Sequence, residues 1–174
     1  MNGLITDRLR IREYTVEDLP ALHDILSEPL TMSFWPKPFR YDQTEEWIVK
    51  RGIEHYERGF GRFAIEWKET GTLIGDAGLL SMEIDGIIEN DLGYIVHSGY
   101  WGQGIGYEAA SAVLKYGIED LQLQRICSNM PVDHEASRKV AEKLGMTLEK
   151  RFSNRRNRDL LTCLYAWDKK RKAR

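Results

Sequence analysis

The chain has 174 residues, 42% hydrophobic and 30% charged, which is ordinary for one globular domain, and we treat residues 1–174 as that domain. No apolar run approaches the roughly 18 residues of a membrane-spanning helix, and there is no signal-peptide pattern, so we expect a cytoplasmic protein without a membrane partner. The net charge of −2 divides into +8 over residues 150–174 (ten Lys/Arg, two Asp) and −10 elsewhere, and such a basic end is typical of a solvated terminus, so nucleic acid is not an expected partner.

The first half of the sequence predicts a strand, two helices and a meander of three strands. Alternating apolar and charged residues predict a strand over Leu4–Tyr14, and a Thr-x-x-Asp capping box at Thr15 begins a helix. The proline-rich residues 34–39 (Phe-Trp-Pro-Lys-Pro-Phe) cannot be helical and precede a second predicted helix over Asp42–Arg58. Short polar turns then predict antiparallel strands over Arg62–Lys68, Thr72–Met82 and Ile87–His97.

Three glycines at alternate positions follow the last of these strands. They belong to the run Trp-Gly-Gln-Gly-Ile-Gly over residues 101–106, which opens into an amphipathic helix over about Tyr107–Leu121. Glycines let a ligand approach the backbone closely, and the first N–H groups of a helix are unpaired, so this loop predicts a site for a phosphate group. The spacing fits neither the dinucleotide fingerprint G-x-G-x-x-G nor the nucleotide P-loop, because Gly106 is followed by Tyr-Glu.

The remaining elements complete one sheet. They are a strand over Arg125–Met130, a helix over Asp133–Leu144, and a closing pair of strands over Thr147–Phe152 and Leu160–Trp167. The crossover helix should place the first of these strands parallel to the glycine-loop strand. We therefore predict a mixed α+β fold: a single, mostly antiparallel sheet with one parallel pair and helices on both faces. The two cysteines, Cys127 and Cys163, lack metal-ligand spacing, which predicts buried free thiols and no metal.

The glycine loop resembles the pyrophosphate loop of the GNAT superfamily of acyl-CoA-dependent N-acyltransferases, whose signature is Arg/Gln-x-x-Gly-x-Gly/Ala. Gly104 and Gly106 match the two small positions. Trp101 stands at the Arg/Gln position, as in the subgroup resembling ribosomal-protein N-terminal (alanine/serine) acetyltransferases, whose opening is also similar to residues 6–13 here. The predicted order of elements is that of the family, so the resemblance covers nearly the whole chain. It implies a transferase with acetyl-CoA as co-substrate.

The resemblance also implies where the cofactor binds. N–H groups of the glycine loop would face the pyrophosphate, and the end of the preceding strand would separate from its neighbour, pair with pantetheine and supply an oxyanion donor. Residues 134–146 resemble a family helix that begins Asn-x-x-Ser, with His134 at the Asn position, and an imidazole there can still donate a hydrogen bond. The expected cofactor-binding residues are Ile95, Val96, His97, Gly102, Gln103, Gly104, Ile105, Gly106, Tyr107, His134 and Lys139.

Transfer of an acyl group from a thioester to an amine needs a proton for the leaving thiolate and a neutral amine. Ser137 matches a Ser that related enzymes place near the thioester sulfur and is the expected proton donor, with His134 as the alternative. Asp91 stands where relatives often carry Glu or Asp, and it is the first candidate for a general base. Asp76 and Glu83 are alternative bases.

The expected reaction is direct attack of a primary amine on acetyl-CoA in a ternary complex, because no residue has the surroundings of a covalent nucleophile. The resemblance favours a protein N-terminal α-amine as acceptor. A small amine such as a polyamine or an antibiotic is the alternative, which the acidic body of the chain would also suit, and a non-catalytic acyl-CoA sensor is a third reading. In the family the aromatic loop overhangs the acceptor end, so the expected substrate-binding residues are Phe34, Trp35 and Phe39. Both a monomer and a homodimer are compatible with the sequence.

Overall fold

A single open sheet organises the protein, as a computed structural model that describes residues 3–169 shows. Its eight strands lie in the order β1-β2-β3-β4-β5-β6-β8-β7, and every neighbouring pair is antiparallel except β5 and β6. The predicted fold class is therefore confirmed. The strands are β1 (Leu4–Ile5), β2 (Leu9–Arg12), β3 (Gly61–Trp67), β4 (Thr72–Ile84), β5 (Ile87–Val96), β6 (Arg125–Pro131), β7 (Thr147–Asn154) and β8 (Leu160–Asp168).

Among residues 3–169 the α-helices are α1 (Leu19–Leu26), α2 (Tyr41–Trp47), α3 (Ile105–Glu119) and α4 (Glu135–Lys143). The second predicted helix is less regular than expected, because α2 continues as a π-helical turn up to Gly52 and then as a 3-10 helix up to Arg58. Gly52 lets this segment pack closely, since a Cβ there would lie 2.8 Å from the hydroxyl of Tyr56 and 3.0 Å from the ring of Tyr14. Gly59 ends the helix with a φ of 74°, as predicted.

The first predicted strand is in fact a hairpin. Within Leu4–Tyr14, the N–H of Thr6 donates to the carbonyl of Leu9 at 3.0 Å, and this bond closes a turn between β1 and β2. A Thr-Asp pair at the turn explains the break, because these side chains bond the local backbone and favour turns. The predicted capping box is present, with the Thr15 N–H donating to Asp18 Oδ2 at 2.8 Å, but it begins a 3-10 turn that leads into α1.

Successive side chains of each strand point to opposite faces of the sheet, so a buried core forms on each face. Phe63 belongs to a buried cluster that includes α3, whereas its neighbour Ala64 packs in a second cluster with Leu22 of α1. Helices therefore cover both faces, as predicted. The thiols of Cys127 and Cys163 are buried and unpaired, which was also predicted.

The sheet opens between β5 and β6. These strands are in parallel register at Asp91 and Cys127, and within residues 3–169 no second pair between them is in register. From Arg125 to Pro131, β6 pairs instead with β8. On the other side, β5 remains paired with β4 as far as Val96. The predicted parallel pair exists, and beyond Asp91 it leaves a gap in the sheet.

Within residues 3–169, no helix has the length and apolar character needed to cross a membrane. The same part of the chain contains no group of three or more His, Cys, Asp or Glu side chains placed to hold a metal ion. The basic tail after residue 169 lies outside the described residues.

Candidate active site

A cleft of about 1370 Å³ runs through the opening between β5 and β6. On one face of the sheet it is bordered by the starts of α3 and α4, and on the other by α2 and the loop that precedes it. Two molecules can therefore meet inside it after entering from opposite faces. The predicted site residues that line the cleft are Phe34, Trp35, Phe39, Asp91, Ile95, Val96, Gly102, Gly104, Ile105, Gly106, Tyr107, His134 and Ser137.

Three predicted cofactor residues do not line this cleft. The side chain of Lys139 is 71% exposed, and its Nζ pairs with Glu135 at 2.7 Å on the outer side of α4. The carbonyl of Gln103 accepts from Arg8 Nη1 at 3.0 Å, and His97 Nδ1 accepts from a loop N–H at 3.2 Å. A cofactor contact by any of the three stays a prediction.

The glycine loop presents open space in front of a helix start. Gly102 and Gly104 have φ values of 73° and 77°, which L side chains rarely adopt. A Cβ at Gly102 would meet no heavy atom within 4 Å, and one at Gly104 would meet only Arg8 Nη2 at 3.7 Å. The N–H of Glu108 donates to the Gly104 carbonyl at 3.0 Å, so the N–H groups of the three residues between them have no partner inside the helix. This arrangement fits a phosphate group.

The start of α3 is fixed by the first hairpin. Glu108 accepts from the Arg8 backbone N–H at 2.9 Å, from Arg8 Nε at 2.7 Å and from Thr6 Oγ1 at 2.5 Å. Burial would raise the pKa of Glu108, but these hydrogen bonds and the Arg8 charge outweigh it and lower that pKa. The carboxylate thus stays ionised and bonded to the hairpin.

Trp101 ties the glycine loop to the end of β5. Its Nε1–H donates to the carbonyl of Val96 at 2.7 Å. The N–H of His97 donates to Ile74 of β4 at 2.9 Å. Two backbone groups of the segment expected to pair with pantetheine are therefore already engaged, and the prediction for that segment depends on its other groups.

Ser137 is hydrogen-bonded on two sides. Tyr94 Oη donates to Ser137 Oγ at 3.2 Å, and Ser137 Oγ lies 3.1 Å from His134 Nε2. The His134 ring stacks on Phe34 with centroids 3.8 Å apart, and burial lowers its pKa to about 4, so the imidazole is neutral at neutral pH. Burial also raises the pKa of Tyr94, which keeps its hydroxyl protonated. Gly106 leaves room for this ring, since a Cβ there would lie 2.9 Å from Tyr94 Cε2.

Asp91 lies on the other face of β5 from Tyr94, because residues three apart in a strand point in opposite directions. Its Oδ1 accepts from Asn129 Nδ2 of β6 at 2.9 Å, where the two strands separate. Burial raises the pKa of Asp91 to about 6, although the Asn129 hydrogen bond and the Arg62 charge oppose this rise. A carboxyl with this pKa is suited to accept a proton near neutral pH.

The two alternative bases have different surroundings. Asp76 is fully buried, and its Oδ2 accepts from Arg62 Nε at 3.1 Å, Tyr14 Oη at 3.0 Å and Trp47 Nε1 at 2.8 Å. These contacts favour a structural role, with Asp76 neutralising a buried guanidinium. Glu83 is exposed and lines the outer part of the cleft.

The aromatic loop, residues 34–39, covers the cleft on the same face of the sheet as α2. Trp35 and Phe39 make edge-to-face contacts with Trp47 of α2, with ring centroids 5.6 and 5.5 Å apart. Asn157, in the turn between β7 and β8, donates its Nδ2–H to the Phe34 carbonyl at 2.7 Å. The loop is therefore held from both sides of the cleft.

Tyr94 and Asn129 belong to the site but were not among the predicted residues. Strand alternation carried a signal for Tyr94, which had to face away from Asp91 and towards the crossover helix. Nothing near Asn129 in the sequence indicates its contact with Asp91, because 38 positions separate the two. The closeness of Ser137 and His134 follows from their three-residue spacing at the helix start.

The sheet thus opens between two parallel strands, with a helix start that fits a phosphate group on one face and a carboxyl on the other. Residues 8–147 match the family model described as an acetyltransferase (GNAT) domain. The chain belongs to the GNAT acetyltransferases, and it is an acyltransferase.

Similar proteins carry names with different acceptor substrates, or with none. The chain is 31% identical over 150 residues to the uncharacterized protein YkkB of Bacillus subtilis (strain 168), over 84% of this chain and 86% of YkkB. It is similar in structure to RimL, a ribosomal L7/L12 α-N-protein acetyltransferase solved with coenzyme A (TM-score 0.77, 18% identity, 95% and 97% of the two chains). It is also similar to a variant of the spermidine N-acetyltransferase SpeG of Vibrio cholerae (TM-score 0.71, 19% identity, 95% and 96%). At 18% and 19% sequence identity, these two likenesses show that each structure has the same fold as this chain.

Proposed function

We propose that the protein transfers the acetyl group of acetyl-CoA to a primary amine by direct attack in a ternary complex. The observation that carries the proposal is the cleft through the sheet, with the Ser137 hydroxyl on one face and the Asp91 carboxyl on the other. The N–H groups at the start of α3 would hold the pyrophosphate of the cofactor on the face of Ser137. The amine would then reach the thioester from the face of Asp91.

The two proton transfers of the reaction would take place on opposite faces of the sheet. Asp91, ionised above its pKa of about 6, would accept a proton from the attacking amine. Ser137 would give its hydroxyl proton to the departing thiolate, whose conjugate acid should have a pKa near 8.5 like that of cysteine. Tyr94 already donates to Ser137 Oγ and would pass its own proton to that oxygen as the Ser137 proton leaves, so that no serine alkoxide remains, and solvent would then reprotonate Tyr94.

We favour the α-amine of a protein N-terminus as the acceptor. Such an amine has a pKa of about 8, so a carboxylate with a pKa near 6 is an adequate base, whereas amines near 10.4 need more help. A small amine such as a polyamine is the second candidate, supported by the likeness to a spermidine acetyltransferase. A sensor without turnover explains less, because binding alone does not require a carboxyl and a hydroxyl pair on opposite faces. We place the activity in the cytoplasm.

Release of free CoA thiol from acetyl-CoA tests the proposal, with peptides of defined N-termini, polyamines and aminoglycosides as acceptors. We expect thiol release that depends on the amine and is fastest with a peptide. Turnover of polyamines or aminoglycosides alone would favour the small-amine alternative. Binding of CoA in calorimetry without amine-dependent thiol release would identify a sensor.

The pH dependence of turnover tests the role of Asp91. In the wild type we expect kcat/KM to fall as the pH drops below about 6, because the carboxylate becomes protonated. Asp91→Asn should lose this limb and lower kcat/KM at pH 7 by about a hundredfold, the scale of general-base catalysis. Asp24→Asn, at an exposed position outside the cleft, is the control. An unchanged acid limb in Asp91→Asn would move the base elsewhere, with Glu83 tested next.

Stability provides an independent readout for the same variant. The pKa of Asp91 is raised on folding from 3.8 to about 6, so the folded state binds the proton more tightly than the unfolded state. The resulting stabilisation is full below pH 3.8 and is lost as the pH rises through about 6. At pH 7 Asp91→Asn should therefore have a higher Tm than the wild type although it is less active. A lower Tm would show that the carboxylate stabilises the fold.

A further inference from the structure

Basic side chains border the acceptor side of the cleft. Arg51 follows Trp47 by four residues on the extension of α2, and both line the cleft. Lys37 lines it from the aromatic loop, and Arg155 lines it from the turn between β7 and β8. All three cations are exposed. We call Lys37, Arg51 and Arg155 the basic rim.

The cations of the basic rim are not neutralised by the protein. Within residues 3–169, none of the three lies within 4.0 Å of a carboxylate oxygen. By contrast Lys50, next to Arg51 in the chain, pairs with Glu54 at 2.6 Å and does not line the cleft. The rim charges thus remain available to a ligand.

Acidic side chains on the same side of the cleft do not balance the rim. Asp85 pairs with Lys150 at 2.6 Å, and Asp91, which is largely ionised at pH 7, is half-buried and already bonded to Asn129 and close to the charge of Arg62. Glu83 is the remaining exposed carboxylate of this side among residues 3–169. Two other acidic lining residues, at positions 133 and 135, belong to the start of α4 on the cofactor side. The three exposed cations of the rim therefore outnumber the exposed Glu83 and the half-buried Asp91.

The turn that carries Arg155 is held in place. Its neighbour Arg156 donates a backbone N–H to Asn154 Oδ1 at 3.1 Å and Nη1–H to the Glu83 carbonyl at 3.0 Å. Asn157 is bonded to the Phe34 carbonyl at 2.7 Å. The backbone of Arg155 is thus fixed from both sides at the mouth, so little ordering is needed before the side chain meets a ligand.

We infer that the acceptor is a primary amine that also bears an anionic group, a carboxylate or a phosphate, which the basic rim binds. This rests on the proposed function and narrows its acceptor. Arg and Lys pair with carboxylate and phosphate, and cations grouped at the mouth of a cleft raise the local concentration of anionic ligands. Either an N-terminal segment with acidic residues after its α-amine or a small anionic amine has this chemistry. A polyamine, whose further charges are positive, is disfavoured.

Matched acceptors test the inference in the thiol-release assay. Three peptides with amidated C-termini share Ser-Ala at the N-terminus and continue with Glu-Glu, Gln-Gln or Lys-Lys, and phosphoethanolamine is compared with putrescine as a small amine. We expect KM to be about tenfold lower for the acidic than for the lysine peptide, with kcat similar. The difference should shrink between about 20 and 300 mM salt, because exposed charges are screened. The faster of acidic peptide and phosphoethanolamine identifies the source of the anionic group.

Paired variants then locate the effect. Arg51→Gln combined with Arg155→Gln should raise KM for the acidic peptide about tenfold and leave the Gln-Gln peptide unchanged. Lys50→Gln combined with Arg158→Gln removes the same net charge from the same two segments at positions that do not line the cleft. An equal loss in that control would assign the preference to net charge and overturn the role of the rim.

The two proposals fail differently. If kcat/KM of the wild type for the lysine peptide or putrescine equals that for the anionic acceptors, the inference is overturned while the acetyltransferase proposal stands. If no amine releases thiol, both are overturned.

Discussion

Gly104→Val is expected to abolish CoA binding while the protein remains folded. The residue has a φ of 77°, and its missing Cβ would point into nearly open space at the start of α3, where the pyrophosphate would approach. A valine there adds two methyl groups to this open space beside the helix start, and its strained backbone costs about 1–3 kcal/mol. Calorimetry of CoA binding, together with circular dichroism, measures both effects.

Gly71→Val is the matched control for backbone strain. Gly71 has a φ of 70° in the turn between β3 and β4, a Cβ there would meet no atom within 4 Å, and it does not line the cleft. We expect this variant to lose similar stability and to bind CoA like the wild type. Wild-type affinity in folded Gly104→Val would remove the cofactor site from this loop. An equal loss of affinity in Gly71→Val would show that strain, and not the loop, controls binding.

Most of the fold could be predicted because its elements carry local signals. The crossover helix was placed within two residues of its observed bounds, Ile105–Glu119, since its apolar residues recur at helical spacing. The hairpin at Thr6 was missed because the alternation over residues 8–12 was extended back through Thr6, whose side chain bonds its own turn. The change of winding after α2 was also missed, because it depends on how Gly52 packs against Tyr56 in the next turn and against Tyr14 from a distant segment.

In the candidate site, too, the contacts within one segment could be predicted and those between distant segments could not. Ser137 and His134 lie on one helix start, so their closeness is a local property. Lys139 was included from the same motif, but two residues after Ser137 a helical side chain points to a different side, and it lies outside the cleft. The contact of Asn129 with Asp91 depends on strand register, and that of Tyr94 with Ser137 on the packing of α4 against β5, each across about forty residues, which no local pattern contains.

Ser137→Ala is expected to lower turnover by about 10²–10⁴-fold and to leave CoA affinity nearly unchanged, because the hydroxyl acts only in the transition state. Tyr94→Phe keeps the ring that packs against Gly106 but removes the donor to Ser137, and it should cause a smaller loss. The double variant should be no slower than Ser137→Ala, since the two hydroxyls act as one unit. Thiol release at saturating acetyl-CoA and calorimetry with CoA separate turnover from binding.

An acyl donor with a more acidic thiol distinguishes proton transfer from mere positioning by Ser137. The thiolate of an aryl thioester leaves without protonation. If Ser137 transfers a proton, the difference in turnover between wild type and Ser137→Ala should therefore be smaller with an aryl thioester, whereas a positioning role would keep that difference constant. His134→Ala should weaken CoA binding and largely keep turnover if the imidazole has taken over the contact of the family Asn. The neutral ring can also carry a proton on Nε2, 3.1 Å from Ser137 Oγ. If His134→Ala loses turnover and Ser137→Ala keeps it, His134 and not Ser137 is the donor to the thiolate, because each variant removes one end of their shared hydrogen bond.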